Sequence, residues 1–373
     1  MQPNITSIPI LQLASGDVLS LQVYRFQGGT GPKVYLQANL HGAEIVGNAV
    51  IHQLLKWLTP LEPHQLNGEI WIVPACNPLA TNQRSHYFST GRFNPYDGKD
   101  WNRIFWDYEK ETEDLLDFAR SHLHLDAETV QRHYRARIQT QFDRLRDKLR
   151  SPASAPLSEH YRFHLQSLCL DANYLIDLHS TSNQGLDYLY YFSGREDSAK
   201  LFGLDSGILL DRYDGDAFDE AFIKPWLALE RCFAQLGREF RFDLEAWTLE
   251  LGAGMQMNPI SVHRGVLGLQ NYLIQKKIVQ GVVLPQPISK QQMYLTRTSQ
   301  VKKYYSPYGG MVYPKVALGT SVQQGQVLYQ LLIFNKQSYC PTQIEVVAER
   351  DGIVYDLASN QAVNTGEYVL ATF

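Results

Sequence analysis

Four residues stand at the ends of strand-like runs and are of types that bind or serve a catalytic metal. His41 and Glu44 lie in "HGAE", where the apolar run Lys33 to Leu40 gives way to a helical stretch from about Ala43 to Leu58. A histidine in the turn and a glutamate three residues on, in the first helical turn, can both face one ion. That glutamate also suits the positive end of a helix dipole, so the pair alone does not decide for a metal. His179 ends a second run, "YLIDLHS", and Asp177, two residues back on the same strand face, is placed to orient it from outside the ligand shell. Two histidines and one carboxylate, with a fourth position open to water, make the ligand set of a catalytic zinc site. Glu250 lies in a third run, "AWTLELG". A free carboxylate beside a zinc-bound water is the group needed to take the water's proton and hand it to a leaving amine.

Arginines complete the set. The segment "GRFNPYDGKDWNRIF", Gly91 to Phe105, reads as a long loop and carries Arg92, Asn102 and Arg103. A guanidinium fork matches a carboxylate, and one placed over a scissile carbonyl stabilises the oxyanion that develops there. Each of these residues, taken singly, also has an ordinary structural or surface explanation.

The elements that must position them follow an α/β pattern, with a mostly parallel sheet over the first two thirds of the chain. Strands are expected at Lys33 to Leu40, Glu69 to Pro74, Tyr174 to Leu178, Tyr188 to Phe192, Ile208 to Leu210 and Trp247 to Leu251, with helices at Asp216 to Leu236 and roughly Val262 to Val279. In open α/β sheets ligands bind beyond the carboxyl ends of the strands, which is where His41, His179 and Glu250 fall. From Asp100 to Arg150 the chain is densely charged with both signs and lacks glycine and proline. A helical insertion is expected there, about residues 106–170: a solvated cover for the domain edge, a wall or lid over the site, or an oligomer contact. After about Pro285 short β-type runs alternate with glycines, and "VALGTSVQQGQVL" and "AVNTGEYVL" share the rhythm of barrel-sandwich hybrids. The expected division is an α/β hydrolase domain over 1–285 and an all-β domain over 286–373.

Composition excludes several classes. Lys and Arg total 34 against 38 Asp and Glu, a net charge of −4, so the surface offers no general attraction to nucleic acid or anionic membrane. No basic and apolar leader opens the chain and no long apolar run interrupts it, which leads us to expect a cytoplasmic location and no membrane partner. The four cysteines are scattered without framework spacing and are expected to be reduced structural thiols.

The order of the motifs, HxxE, NP, an R[FY]xPxDG segment running into NRxF, then DxH and TxELG before a small β-domain, resembles the succinylglutamate desuccinylase/aspartoacylase family. These are zinc deacylases related to the metallocarboxypeptidases. The resemblance implies a zinc-carboxypeptidase-like mixed sheet flanked by helices, one zinc ion held by His41, Glu44 and His179, and Glu250 as general base and then general acid. It implies Arg92 as the carbonyl-polarising arginine, with Arg84 as rival, and Asn102 with Arg103 as the pair that binds a substrate carboxylate. The implied substrate is a small N-acyl amino acid cleaved at its amide, the alternative being a metallocarboxypeptidase acting on short or modified peptides. A homo-oligomer is compatible with this reading. Trp101 stands where the family commonly has leucine, a change of volume beside the expected substrate pocket, and the helical insertion is longer than expected. A tyrosine of the β-domain, among Tyr304, Tyr305, Tyr308 and Tyr313, is a further candidate to reach the substrate.

Overall fold

The computed structural model describes residues 1–150, 155–284, 293–334 and 340–373. Its chain opens with an antiparallel hairpin, β1 (Asn4–Gln12) and β2 (Val18–Gln27), followed by β3 (Lys33–Ala38), α1 (Val46–Leu58), β4 (Glu69–Val73) and α2 (Pro78–Asn82). The short hairpin β5 (Arg84–Ser85) and β6 (Phe88–Ser89) leads to the helices α3 (Leu115–Ser121), α4 (Ala127–Leu149) and α5 (Leu157–Gln166). Then come β7 (Tyr174–Thr181), β8 (Gln184–Gly185), β9 (Tyr188–Tyr191), α6 (Glu196–Ala199), β10 (Ser206–Leu209), α7 (Phe218–Gln235), β11 (Glu245–Ala253) and α8 (Pro259–Gln275).

Among the described residues, nine strands form one mixed sheet in the order β1-β2-β4-β3-β7-β11-β9-β10 and, at its far edge, β12 (Tyr294–Arg297). The centre is parallel: β3 runs alongside β4 and β7, and β7 alongside β11. The expected boundary at 285/286 lies outside the described residues, and β12, beyond it, pairs with β10 of the large sheet. Strands β3 and β7 are buried along their whole length, so they read as near-continuous apolar runs rather than alternating ones. The β1–β2 hairpin gave no such signal, because edge strand β1 has only exposed and half-buried positions and β2 interrupts its buried Leu21, Val23 and Phe26 with exposed and half-buried ones.

Two cores sandwich the sheet. On one face Val46, Val50, Ile51 and Leu54 of α1 pack with Leu269 and Leu273 of α8 against Leu36, Ile176 and Leu249. On the other face α7 packs with the helices of the insertion. In α4 the buried residues Val130, Tyr134, Ile138 and Phe142 recur at every fourth position, a stripe that a helix turns to one side. Tyr134 meets Trp226 of α7 edge to face at 5.1 Å, and Phe142 stacks on Phe163 of α5 at 4.9 Å. The mixed charges occupy the outer face, so the insertion carries part of the core as well as a solvated surface.

The chain ends in β13 (Lys302–Tyr305), β14 (Gly310–Lys315), β15 (Ser321–Val322), β16 (Val327–Ile333), β17 (Thr342–Val347), β18 (Gly352–Leu357), β19 (Ala362–Val363) and β20 (Tyr368–Thr372). These make two small sheets, β13-β20-β18-β15 and β17-β16-β14-β19, over a core that includes Val312, Leu328, Leu331, Val354 and Leu370. Strand β8, from the loop after β7, pairs with β18 and stitches the β-region to the large sheet.

Candidate active site

Parallel register brings the central strand ends to one edge. Glu250 of β11 is the Cα partner of His179 on β7, and Thr248 that of Asp177. On the other side of β7, Gln37 of β3 pairs with Asp177, and three residues beyond the β3 end at Ala38 stands His41. The turn between β3 and α1 is templated by Asn39, which adopts a positive φ of 69° and donates from Nδ2 to the carbonyls of His41, Gly42 and Glu44. Thr81 anchors Asn39 in turn by donating its hydroxyl to Oδ1. Gly42 has no room for a side chain, since a Cβ there would lie 1.9 Å from the carbonyl oxygen of Ala80. Its amide donates to the carbonyl of Gly91, tying the turn to the loop that carries Arg92.

His41, Glu44 and His179 meet on this turn, buried, with their candidate ligand atoms all within 4.8 Å of one another. Nδ1 of His41 is 2.9 Å from one Glu44 oxygen and Nδ1 of His179 is 2.8 Å from the other. The two rings lie 5.3 Å apart at 72°. A histidine/glutamate/histidine set with nitrogen and oxygen donors converging on one point suits zinc. Behind it stand the orienting carboxylates. Asp177 Oδ2 lies 3.0 Å from Nε2 of His179, though out of line for a good hydrogen bond, and Asp100 Oδ1 is 2.9 Å from Nε2 of His41.

The electrostatics are those of a positive pair around a buried anion. Burial alone would push the Glu44 carboxyl up, but His41 and His179 outweigh it and hold it well below the usual carboxylate range. Burial opposes the charging of His41, and Glu44 and Asp100 overcome it, so its pKa rises. The pKa of His179 rises further, with Asp177 and Glu44 overcoming its burial. Asp100 is drawn down to about 2 because His41 and Arg92 outweigh its partial burial.

Glu250 is different. The residue is half-buried, its Oε2 is buried with no hydrogen-bond partner among the described residues, and loss of solvent around the carboxyl together with the nearby Glu44 pushes its pKa up to about 7. A carboxyl poised near neutrality can accept and return a proton at working pH.

One cavity of about 580 Å³ is lined by His41, Glu44, His179, Glu250, Arg92, Asn102 and Arg103. Arg92 reaches Asp100 Oδ2 at 3.0 Å, approaches Glu44 at 3.6 Å and donates to the Ser182 hydroxyl at 3.2 Å. Arg84 lies off this lining and spends its guanidinium on the carbonyls of Thr81 and Gln83. Asn102 accepts the Phe218 amide of α7 at Oδ1, which leaves Nδ2 as its free-facing donor, and Arg103 Nη1 donates to the Asn102 carbonyl.

Other expectations are corrected. Trp101 does not border the cavity: it is buried and packs edge to face on Tyr161 at 5.2 Å, so its bulk belongs to the core. No residue of 106–170 lines the cavity among the described residues, so the insertion is not its wall. The β-region does reach in, but through Lys303, Tyr355, Asp356 and Tyr368 rather than Tyr304, Tyr305, Tyr308 or Tyr313. Asp100 was not anticipated. Its only sequence signal is its place three residues before Arg103 in the loop of arginines.

Comparison with known proteins agrees with the geometry. The succinylglutamate desuccinylase/aspartoacylase catalytic domain model matches residues 30–204. The crystal structure of a succinylglutamate desuccinylase/aspartoacylase family protein from Shewanella amazonensis superposes with a TM-score of 0.86 at 31% identity, covering 99% of this chain and 98% of that one. The chain belongs to the succinylglutamate desuccinylase/aspartoacylase family. A second protein of the family, from Shewanella frigidimarina, gives a TM-score of 0.89 at 26% identity over 100% and 98% of the two chains. The N-alpha-acetyl-L-2,4-diaminobutyric acid deacetylase of Halomonas elongata is 25% identical over 345 residues, 91% of this chain and 82% of that protein. Among the described residues, no helix is long and apolar enough to cross a membrane.

Proposed function

We propose that the protein is a zinc-dependent hydrolase that cleaves the amide of a small N-acyl amino acid. The observation that carries the reading is the Glu250 carboxyl, with its buried Oε2 unpartnered among the described residues, in the same cavity as the His41, Glu44 and His179 cluster. One zinc ion per chain would be held by those three residues and would supply a Lewis acid that lowers the pKa of water towards about 7. Glu250 takes the proton of the attacking water at Oε2 and returns it to the departing amine. Arg92 faces the carbonyl oxygen and balances the negative charge that builds on it. Arg103, with Nδ2 of Asn102, holds the substrate carboxylate, a fork suited to two oxygens.

The cavity's volume supports a small amide over a peptide, because about 580 Å³ falls in the range of a small-molecule site. The relative from Halomonas is named for such a substrate, an N-acetylated amino acid.

The test pairs metal analysis with an amine-release assay on acetyl, succinyl and formyl amino acids, acetyl-diaminobutyrate among them. The expected result is about one zinc per chain, lost in His179→Ala together with turnover of a panel member. Absence of stoichiometric metal in the folded protein after zinc is added back overturns the proposal.

A further inference from the structure

Among the β-region residues that reach the cavity is a buried carboxylate, Asp356 of β18. Its Oδ2 accepts the hydroxyl of Thr181 at 2.6 Å, and its Oδ1 accepts Nδ2 of Asn183 at 3.1 Å and the hydroxyl of Tyr368. Thr181, the last residue of β7 and two after His179, and Asn183 flank Ser182 where the chain turns out of the strand. The turn is closed on itself, because the Asn183 amide donates back to the Thr181 hydroxyl at 3.1 Å. It is also stitched to β18 by the pairing of Gly185 with Asp356 and by the Leu186 amide on the Tyr355 carbonyl at 3.0 Å. The approach is tight: a Cβ on Gly185 would stand 2.3 Å from Cγ2 of Thr181. Clamped on both sides, Ser182 points its hydroxyl at Arg92, whose Nη1 donates to it at 3.2 Å.

We propose that Asp356 is a positioning residue for Arg92, acting through the Thr181–Asn183 turn and the Ser182 hydroxyl. This rests on the role given to Arg92 above. The guanidinium is held at Nη2 by Asp100 and at Nη1 by Ser182, with Glu44 3.6 Å from the same Nη1; without the Ser182 hydroxyl Nη1 loses that hydrogen bond, and the group is freed to turn out towards solvent and away from the space a carbonyl would occupy. Asp356 serves as a clamp because three donors converge on two carboxylate oxygens. An asparagine there keeps the shape but turns an NH2 group towards donors. The β-region, 175 residues on from Thr181, thereby sets the geometry of an arginine near the front of the chain.

The test uses full-length protein with Asp356→Asn and, as a variant that cannot disturb the clamp itself, Ser182→Ala. Phenylglyoxal labelling of individual arginines, read by peptide mass spectrometry, needs no turnover. Arg92 is expected to label several-fold faster in both variants while Arg84 labels at the wild-type rate. In steady state, both variants should lower kcat by about 10- to 100-fold with KM little changed, and neither should add to the loss in an Arg92→Ala background. Arg92 labelling at the wild-type rate in Asp356→Asn overturns the proposal, and so does an equal acceleration at Arg84, which marks general loosening. A rise in KM alone, or a loss fully additive with Arg92→Ala, also overturns it and makes Asp356 a substrate contact. If wild-type protein turns over no substrate, the deacylase reading fails, and the labelling still decides the positioning claim.

Discussion

His41 and Asp100, 59 residues apart, meet with Nε2 of the ring 2.9 Å from Oδ1 of the carboxylate, while Oδ2 takes Arg92 at 3.0 Å. One aspartate thus fixes both a candidate metal ligand and the candidate polarising arginine. With Nε2 donating to Asp100, Nδ1 is left as the ring's lone-pair atom towards the ion. Asp100→Asn is therefore expected to weaken zinc affinity by roughly 10- to 100-fold, the usual loss when an outer partner of a ligating histidine is removed. Competition with a chelator measures it, and an unchanged affinity would show that Asp100 serves Arg92 alone.

Glu250→Gln separates metal binding from proton transfer. The glutamine fills the same space but cannot carry a proton away, so kcat is expected to fall by roughly 10²- to 10⁴-fold with the zinc content unchanged. The same change should raise stability at high pH. The Glu250 carboxyl titrates near 7 against an ordinary 4.5, so its ionisation opposes folding and that cost grows as pH rises from about 4.5 through 7. In metal-free protein, Glu250→Gln should melt higher than wild type at pH 8 and alongside it at pH 4. The reverse order would place a counter-charge beside Glu250.

Much of the site was legible because three parallel strands end at one edge, and residue type at a strand's carboxyl end is a local property. His41, Glu44, His179 and Glu250 could be picked out without knowing which strands are neighbours. The rest depends on contacts that local pattern does not carry. Asp100 finds His41 through the path of a loop, and Asn39 shapes the turn of the candidate metal ligands through its backbone angle and through Thr81, 42 residues on. Tyr355 and Tyr368 reach the cavity because β8 adds itself to β18, a pairing between strands far apart in the chain and only two residues long on one side. Trp101 misled for the opposite reason: its neighbours in sequence face the cavity, while its own side chain turns into the core on Tyr161.

Removal of the metal should change how stability depends on pH. In metal-free protein the pKa values of His41 and His179 are raised above the ordinary 6.5, so the stability they contribute is present below that value and is lost as pH climbs through their folded values. Glu44 and Asp100 are depressed, so theirs is present above the ordinary carboxylate range and is lost as pH falls through their folded values. The expected profile of melting temperature is a dome that declines on the alkaline side. Zinc should raise the alkaline limb most, because a metal takes deprotonated ligands and binding releases their protons. Calorimetry of zinc binding in buffers of different ionisation enthalpy measures that release, and no release at pH 7 would mean that the histidines are already neutral.

The helical insertion offers a test of stability that leaves the site alone. Phe142 is buried between Trp106, 5.4 Å away edge to face, and Phe163, stacked at 4.9 Å, and none of the three lines the cavity. Phe142→Ala removes a ring from a close-packed cluster whose partners are held on separate helices and loops, so the hole closes only in part. The loss is expected to be about 3–5 kcal/mol, seen as a lower midpoint of chemical unfolding. Because the insertion's core continues through Tyr134 into Trp226 of α7, the transition should remain single rather than split into an early step for the insertion and a later one for the sheet. Zinc content and kcat at low temperature should match wild type. A lowered zinc content in the folded variant would show that the insertion's packing reaches the metal ligands through α7.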